Sequence, residues 1–187
     1  GAWVAEGSTT WEEAVRLVEG RGKLVREAGR GGHGARAAMM GLDDAGVVQL
    51  WAEAAEDEVV SAVNFNSPGQ VVMAGNKAAV DRAMELCKAK GAKRALPLAV
   101  SVPSHCALMK PAAERFAEAV NAIDWQAPQI PVGTEVTAAG APGPEALKQD
   151  LRAQGYQPVG WGGCGHAERE RAGEGKGGER GGGGLHE

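Results

Sequence analysis

An α/β fold is predicted for this 187-residue sequence by two alternating patterns of apolar residues. Segments with apolar residues every three to four positions, typical of amphipathic helices, alternate with short apolar runs typical of strands. Between residues 35 and 100 the order is strand, helix, strand, strand, helix, strand. That order is the one of a ferredoxin-like (βαββαβ) unit.

The first long helix is predicted over residues 11–27. Apolar residues recur through it at helical spacing, and the Ser-Thr-Thr run at 8–10 precedes it as a source of N-caps. Gly20 and Gly22 lie inside the helix and are expected to weaken it. Residues 29–34 are rich in glycine and predict a mobile loop.

The βαββαβ unit follows this loop. Asp43 and Asp44 are candidate caps for its first helix, which continues through Ala54, and Gly91 closes its second helix as a C-cap. The Asn-Ser-Pro-Gly sequence at 66–69 predicts the turn between the two central strands. The strands are predicted at residues 35–41, 59–65, 70–74 and 95–100, and the second helix at 77–90.

The remaining residues predict two more helices and a tail. The helices fall at residues 111–122 and 144–154, with an extended, proline-bounded segment at 127–132 between them. From residue 161 glycine dominates, interleaved with Glu, Arg and Lys. Because this composition offers hardly any apolar surface to bury, residues 161–187 are predicted to be disordered.

Composition limits the classes of function. Hydrophobic residues make up 43% of the sequence, enough for a packed core, and the net charge of −4 argues against a general nucleic-acid binder. No segment approaches the ~18 apolar residues of a membrane span, and no leader pattern opens the chain, so a cytoplasmic protein without membrane contact is expected. Three widely spaced cysteines predict reduced thiols, with no disulfide framework and no metal site.

His105 is the candidate catalytic residue. It lies between an apolar extended run and the predicted start of a helix, where a neutral imidazole could act as a general base. In the alternative interpretation, Ser101 or Ser104 caps that helix and His105 is a first-turn surface residue. No Gly-x-Ser-x-Gly elbow, phosphate loop, dinucleotide fingerprint or His-Glu-x-x-His pair occurs in the sequence. These residues alone leave both interpretations of His105 open.

Two groups of basic residues are candidates for binding anions. Arg21 lies between two glycines, which leaves room for its guanidinium to enter a cavity and bind a carboxylate through two hydrogen bonds. The alternative is a solvated helix arginine paired with Glu19 or another exposed acid. A basic cluster near the end of the helix at 77–90 would attract an acidic partner, or would only complement the helix dipole. The cluster consists of Lys88, Lys90, Lys93 and Arg94.

Three segments carry a resemblance to a known family: WEEAVRLVEGRGK at 11–23, VNFNSPGQVV at 63–72 and GAKRALPLAVSVPSHCALMKP at 91–111. The sequence from about residue 2 to about residue 161 resembles the malonyl-CoA:acyl carrier protein transacylases of bacterial fatty acid synthesis. The resemblance implies an α/β-hydrolase-like subdomain with an inserted ferredoxin-like subdomain. It implies four parts: residues 1–34 and 101–160 in the large subdomain, residues 35–100 in the small one, and the tail at 161–187.

The same resemblance implies a function and its residues. His105 would be the base that activates a serine, which takes malonyl from malonyl-CoA as an ester and passes it to the phosphopantetheine thiol of acyl carrier protein. Arg21 would pair with the free carboxylate of malonyl. Lys93 and Arg94 would face the acidic carrier protein. No cofactor is implied, and a monomer is expected.

The sequence departs from the family pattern in ways that bear on activity. The family's Gly-His-Ser-Leu-Gly elbow lies just upstream of the segment that matches residues 2–7, and the glutamine of the oxyanion hole lies upstream too. The closing Gly-Pro-Gly segment is replaced by the tail. An interior fragment without its nucleophile, inactive alone, is therefore expected. The alternatives are a carrier-protein-binding module without catalysis and a fragment of a polyketide synthase acyltransferase.

Overall fold

The computed structural model describes residues 1–164, so the predicted disordered tail lies outside the described residues from residue 165 onward. The architecture is mixed α/β, as the hydrophobic patterns predict. The helices are α1 (Ala2–Ala5), α2 (Trp11–Gly29), α3 (Asp44–Ala55), α4 (Lys77–Ala89), α5 (Lys110–Asn121) and α6 (Pro144–Ala153). The strands are β1 (Gly34–Met40), β2 (Val60–Ser67), β3 (Gln70–Asn76), β4 (Arg94–Pro97), β5 (Gly133–Thr134) and β6 (Ala139–Gly140).

The main sheet has four strands in the spatial order β2-β3-β1-β4, and every neighbouring pair is antiparallel. Its chain order, with α3 after β1 and α4 after β3, is the strand and helix order that the sequence predicts between residues 35 and 100. β5 and β6 form a separate two-stranded ribbon. Strand β4 lies at an edge of the main sheet, which leaves one of its sides without a strand partner.

The two faces of the main sheet contact different parts of the chain. Because side chains alternate along a strand, Ala37 and Met39 of β1 point to one face, where α3 and α4 cover them in the largest apolar cluster. Ala38 points to the other face and packs with Cys106. The second face of the sheet therefore lies against the chain segment that carries His105.

A second apolar cluster joins the helices outside the main sheet. Leu17 of α2, Phe116 and Val120 of α5, and Leu147 of α6 are buried together with Trp125. Burying side chains of this size contributes roughly 1.5–3 kcal/mol each. The cluster fixes the mutual position of α2 and α6, which carry two of the site residues described below.

Local sequence signals set the starts of α2 and α3 as predicted. At α2, the Thr10 side chain accepts a hydrogen bond from the Glu13 amide, while the Glu13 carboxylate accepts one from the Thr10 amide, which is a capping box. At α3, the Asp43 carboxylate accepts from the Gly46 amide. α2 continues without a break through both of its internal glycines.

Two predictions about boundaries are wrong. The loop predicted at 29–34 is shorter, because Gly29 belongs to α2 and Gly34 to β1. β4 ends at Pro97 rather than at residue 100: the Leu98 amide still donates to the Arg36 carbonyl of β1, but the Val100 amide turns back to the Leu98 carbonyl.

The alternative interpretation, in which Ser101 or Ser104 caps α5, is also wrong. Neither Ser101 nor Ser104 caps it: a single 3₁₀ turn, Ala107–Met109, comes first, and Met109 is the N-cap with no side-chain hydrogen bond. His105 has a φ angle of 66°, which a right-handed helical turn does not allow. His105 is therefore not a first-turn residue of this helix.

No helix among residues 1–164 combines the length and the apolar character needed to cross a membrane.

Candidate functional site

His105 lies in a tight turn that is held by the end of α6. Its φ angle is 66°, in the left-handed region that few non-glycine residues adopt. The His105 amide donates to the Gly155 carbonyl at 3.1 Å, and ring atom Nδ1 lies 2.7 Å from the Gln154 carbonyl oxygen. Since a carbonyl oxygen only accepts, Nδ1 carries the hydrogen and Nε2 of the neutral ring keeps its lone pair. The ring thus has the tautomer that a general base would need.

The surroundings of His105 favour its neutral form. Burial lowers the pKa of His105 most, and the Arg36 and Arg21 guanidiniums lower it further by repelling the imidazolium. The hydrogen bond to Gln154 and the Glu135 carboxylate raise the pKa of His105, but the net change is still a lowering. A base must be unprotonated to accept a proton, so the lowered pKa of His105 keeps it competent at neutral pH.

This lowered pKa makes stability depend on pH. Below the ordinary histidine pKa of 6.5 the unfolded chain binds a proton that folded His105 resists, so the free energy of unfolding should fall as the pH drops from 7.5 to 5. His105→Asn, which tolerates the left-handed backbone, should flatten that dependence in urea titrations at each pH. An unchanged slope in His105→Asn would contradict this account.

Gln154 links His105 to Arg21. Its carbonyl oxygen holds the His105 ring, its side-chain oxygen Oε1 accepts from Arg21 Nη2, and its Nε2 donates to Glu135 Oε1 at 2.6 Å. The alternative that Arg21 pairs with Glu19 is wrong, because Glu19 pairs with Lys23 at 2.7 Å. One residue thus positions the candidate base through its backbone and the candidate anion-binding group through its side chain.

A cavity of about 270 Å³ opens beside Arg21. Its polar lining comes from Arg21, Gln154, Glu135, Asp150 and Thr134, and apolar side chains complete it. His105 does not line this cavity directly and is joined to it through Gln154. A volume of this size admits a small molecule with one polar end. The apolar lining residues are Ala2, Trp3, Phe116, Val132, Val136 and Leu151.

Cys106, the neighbour of His105, is not arranged as a nucleophile. It is 2% exposed, and its thiol donates to the Pro103 carbonyl at 3.1 Å. Burial raises its pKa, so the reactive thiolate is disfavoured. Cys87 is also buried and has a raised pKa for the same reason.

Within residues 1–164, no three His, Cys, Asp or Glu side chains are grouped as a metal site would need.

The predicted basic cluster is only partly available for binding. Lys88 pairs with Glu85 at 2.8 Å, which neutralises one of the positive charges of the cluster. Lys93 and Arg94 are exposed at the edge strand β4, and neither side chain has an ion pair among the described residues. They lie on a different part of the surface from the cavity that Arg21 lines.

Sequence reasoning missed three residues of the site. Gln154 follows α6 with no motif around it, and it is 133 positions from the arginine it binds. Glu135 lies in an irregular segment after β5. Arg36 lies in an otherwise small and apolar strand, and that single charge in the run Gly-Ala-Arg-Ala-Ala-Met-Met was the one available signal.

Comparison with known proteins identifies the family to which this fold belongs. The chain belongs to the acyl transferase domain family, whose model matches residues 1–154. Malonyl CoA-acyl carrier protein transacylase of Escherichia coli K12 is 54% identical over 160 residues, which are 86% of this chain and 52% of that protein. The chain thus spans about half the length of the curated relatives it matches.

The chain also spans about half the length of the similar solved structures. The crystal structure of malonyl-CoA:acyl carrier protein transacylase from Xanthomonas oryzae superposes with a TM-score of 0.87 at 45% identity, covering 91% of this chain and 54% of that one. An acyl carrier protein S-malonyltransferase from Vibrio cholerae gives a TM-score of 0.88 at 49% identity, with coverage of 90% and 56%. A malonyl-transacylase in complex with a type II polyketide synthase acyl-carrier protein gives 0.89 at 48%, with coverage of 91% and 55%.

Proposed function

We propose that this chain supplies the base and the carboxylate-binding side of a malonyl-CoA:acyl carrier protein transacylase. The observation that carries the proposal is the position of Gln154, which orients the His105 ring through its carbonyl and contacts Arg21 through its side chain. A transacylase for malonyl needs these two groups close together, because the reacting carbonyl and the free carboxylate of malonyl are one carbon apart. The names of the similar proteins support the same activity.

The chemistry that fits His105 is a two-step transfer through a serine. Nε2 accepts the serine hydroxyl proton as the oxygen bonds to the malonyl carbonyl carbon. The C–S bond to coenzyme A then breaks, and the imidazolium returns the proton to the departing sulfur. In the second step Nε2 takes the thiol proton of phosphopantetheine, the sulfur attacks the malonyl ester, and the serine oxygen regains its proton. General-base assistance of this kind contributes typically ~10²–10⁴ in rate.

The serine of this mechanism is proposed to come from outside the 187 residues. None of the serines in the sequence stands in a Gly-x-Ser-x-Gly elbow. The chain alone is therefore proposed to bind malonyl-CoA without forming a malonyl ester.

Arg21 is proposed to select malonyl over acyl groups without a charge. Gln154 engages Nη2 of Arg21, and this bond holds the guanidinium at the cavity. A carboxylate and a guanidinium form two parallel charge-assisted hydrogen bonds, which an acetyl group cannot make. The cavity would thus favour malonyl because burying Arg21 without an anion costs free energy.

The arrangement of subdomains is also a proposal. Residues 35–100 would form a ferredoxin-like subdomain inserted into an α/β-hydrolase-like subdomain, to which residues 1–34 and 101–160 belong. The antiparallel order β2-β3-β1-β4 with two helices on one face supports the ferredoxin-like part. The second apolar cluster, which joins α2 with α5 and α6, supports the assignment of the flanking segments to one body.

We place the carrier-protein contact at Lys93 and Arg94. Their exposure at the edge of the sheet and their unneutralised charges suit the acidic surface of acyl carrier protein. One similar structure is a complex of a malonyl-transacylase with an acyl-carrier protein, which supports this partner. The chain is proposed to act as a monomer in the cytoplasm, with no nucleic acid or membrane partner and no cofactor.

The test is a calorimetric titration of the chain with malonyl-CoA and with acetyl-CoA, followed by mass spectrometry of the protein. Malonyl-CoA should bind at least about tenfold more tightly, the value of roughly one charge-assisted hydrogen bond. The protein mass should show no added malonyl group. Equal affinity for the two ligands would contradict the malonyl site, and an added malonyl group would contradict the proposed external serine. A module that only bound carrier protein would also show no preference between the two ligands.

A further inference from the structure

Helix α2 carries a row of apolar side chains that the rest of residues 1–164 leaves exposed. Trp11, Val15 and Val18 are spaced by four and three residues, which places their side chains within about 60° of one another around the helix. Trp11 is 65% exposed, Val15 47% and Val18 72%. Single exposed apolar residues are common, but three aligned on one face form a patch of the kind that contacts another body. Together these three residues form the α2 stripe.

The other faces of α2 already serve the core and the solvent. Leu17 and Leu24 lie on a different side of the helix and pack in the second apolar cluster. A third side carries exposed charged residues, which form the solvated face. These residues are Glu12, Arg16, Glu19 and Lys23. The α2 stripe therefore belongs neither to the core nor to the charged surface, and its apolar area would gain free energy on leaving water.

The α2 stripe adjoins the candidate site. Arg21 follows Val18 by three residues on the same helix, so the two side chains start about 5–6 Å apart. Arg21 lines the cavity and is joined to His105 through Gln154. A body seated on the stripe would consequently lie beside the cavity, on the side from which a nucleophile could reach the site.

The remainder of an acyl transferase domain is the occupant that fits this surface. The chain spans about half the length of the relatives it matches, so about half of such a domain has no counterpart in the matched segment. The proposed mechanism also needs a serine in a Gly-x-Ser-x-Gly elbow, which the 187 residues do not contain. A second copy of this chain on the stripe would bring another histidine to the site but no elbow serine.

We propose that the α2 stripe is the docking surface for the serine-bearing remainder of an acyl transferase domain. The inference rests on the proposed external serine and names the surface that holds the body carrying it. Trp11 supplies the large aromatic anchor typical of residues that dominate an interface, and the two valines extend the apolar contact toward Arg21. The partner face is expected to be apolar, so the contact should depend little on salt.

The test co-expresses this chain with a polypeptide made of the residues of the Escherichia coli K12 relative that lie outside the 160-residue match. The two should purify as a one-to-one complex. Val18→Glu places a charge in the apolar contact and should weaken the complex at least about tenfold. Val48→Glu changes an exposed valine of α3 in the same way and should leave the complex intact. Circular dichroism of each variant chain checks that both are folded.

Fluorescence quenching gives a second readout at the stripe itself. Acrylamide should quench Trp11 in the chain alone and quench it less in the complex, with the Trp11 signal obtained as the difference from Trp11→Phe. Separate elution of the two polypeptides, equal weakening by both glutamate variants, or unchanged quenching of Trp11 would overturn the docking surface. A dimer of this chain that Val18→Glu dissociates would overturn it as well, because the stripe would then bind a second copy.

Failure of the docking surface and failure of the proposed function give different results. A complex that forms through the α2 stripe but gains no malonyl ester from malonyl-CoA would exclude the transacylase activity while the docking surface stands. Separate elution of a chain that still prefers malonyl-CoA to acetyl-CoA would exclude the docking surface while the malonyl site stands.

Discussion

Arg21→Gln should abolish most of the preference for malonyl-CoA over acetyl-CoA. A hydrogen bond to a charged group is worth about 1.5–3 kcal/mol, so the preference should fall by roughly 10- to 150-fold. Acetyl-CoA affinity should change little, because acetyl has no charge to pair with Arg21. The ratio of the two affinities, measured by calorimetry at one salt concentration, isolates the carboxylate contribution from any effect on the coenzyme A portion.

Two further variants test whether the loss of preference comes from the guanidinium of Arg21 itself. Arg21→Lys should recover part of the preference, since an ammonium supplies the charge but not two parallel hydrogen bonds. Arg16→Gln lies on the same helix, faces solvent and removes the same charge, so it should keep the full preference. If Arg21→Gln still discriminates between the ligands as the unaltered chain does, the cavity beside α2 does not bind the malonyl carboxylate.

Gly75→Ala should destabilise the fold by about 3 kcal/mol or more. Gly75 lies in β3 between two neighbouring strands, and a methyl group there would be 2.0 Å from the Val59 carbonyl oxygen and 2.6 Å from Val60 Cα. Both obstacles are backbone atoms of an adjacent chain segment, which cannot rotate away as a side chain would. The measurement is urea unfolding followed by far-ultraviolet circular dichroism.

Gly22→Ala is the matched control for this change. Gly22 lies inside α2, and a methyl group there meets nothing within 4 Å. Because alanine restricts the unfolded chain and favours the helix, Gly22→Ala should stabilise the protein by about 0.5–1 kcal/mol. Equal stability of Gly75→Ala and the unaltered chain would show that β2 and β3 separate more easily than their register indicates.

The parts of the fold that were predictable are those governed by neighbours in sequence. Thr10 with Glu13, and Asp43 with Gly46, lie three residues apart, so their capping bonds follow from local sequence alone. The strand and helix order between residues 35 and 100 follows from local periodicity in the same way. The early end of β4 was not predicted, because it depends on a turn after Pro97 that apolar patterning does not encode.

The site was less predictable because its contacts are long-range. His105 and Arg21 could be singled out by residue type, but the residue that connects them could not. Gln154 lies 49 positions from His105 and 133 from Arg21, so tertiary packing of α2 against α5 and of α5 against α6 creates the connection. The contact between Arg36 and Asn64 is also long-range. Arg36 lies on β1 and Asn64 on β2, and both strands pair with β3, which lies between them.

The position of Gln154 at the end of α6 couples the orientation of the His105 ring to that of the Arg21 guanidinium. Its amide makes a last-turn hydrogen bond of the helix, to the Asp150 carbonyl at 2.9 Å. Helix ends open more readily than helix centres. Each opening of this turn would release the imidazole and the guanidinium together, so base strength and charge selection would be lost in the same molecules at the same moment. The population with a closed final turn thus sets an upper limit on both affinity and reactivity.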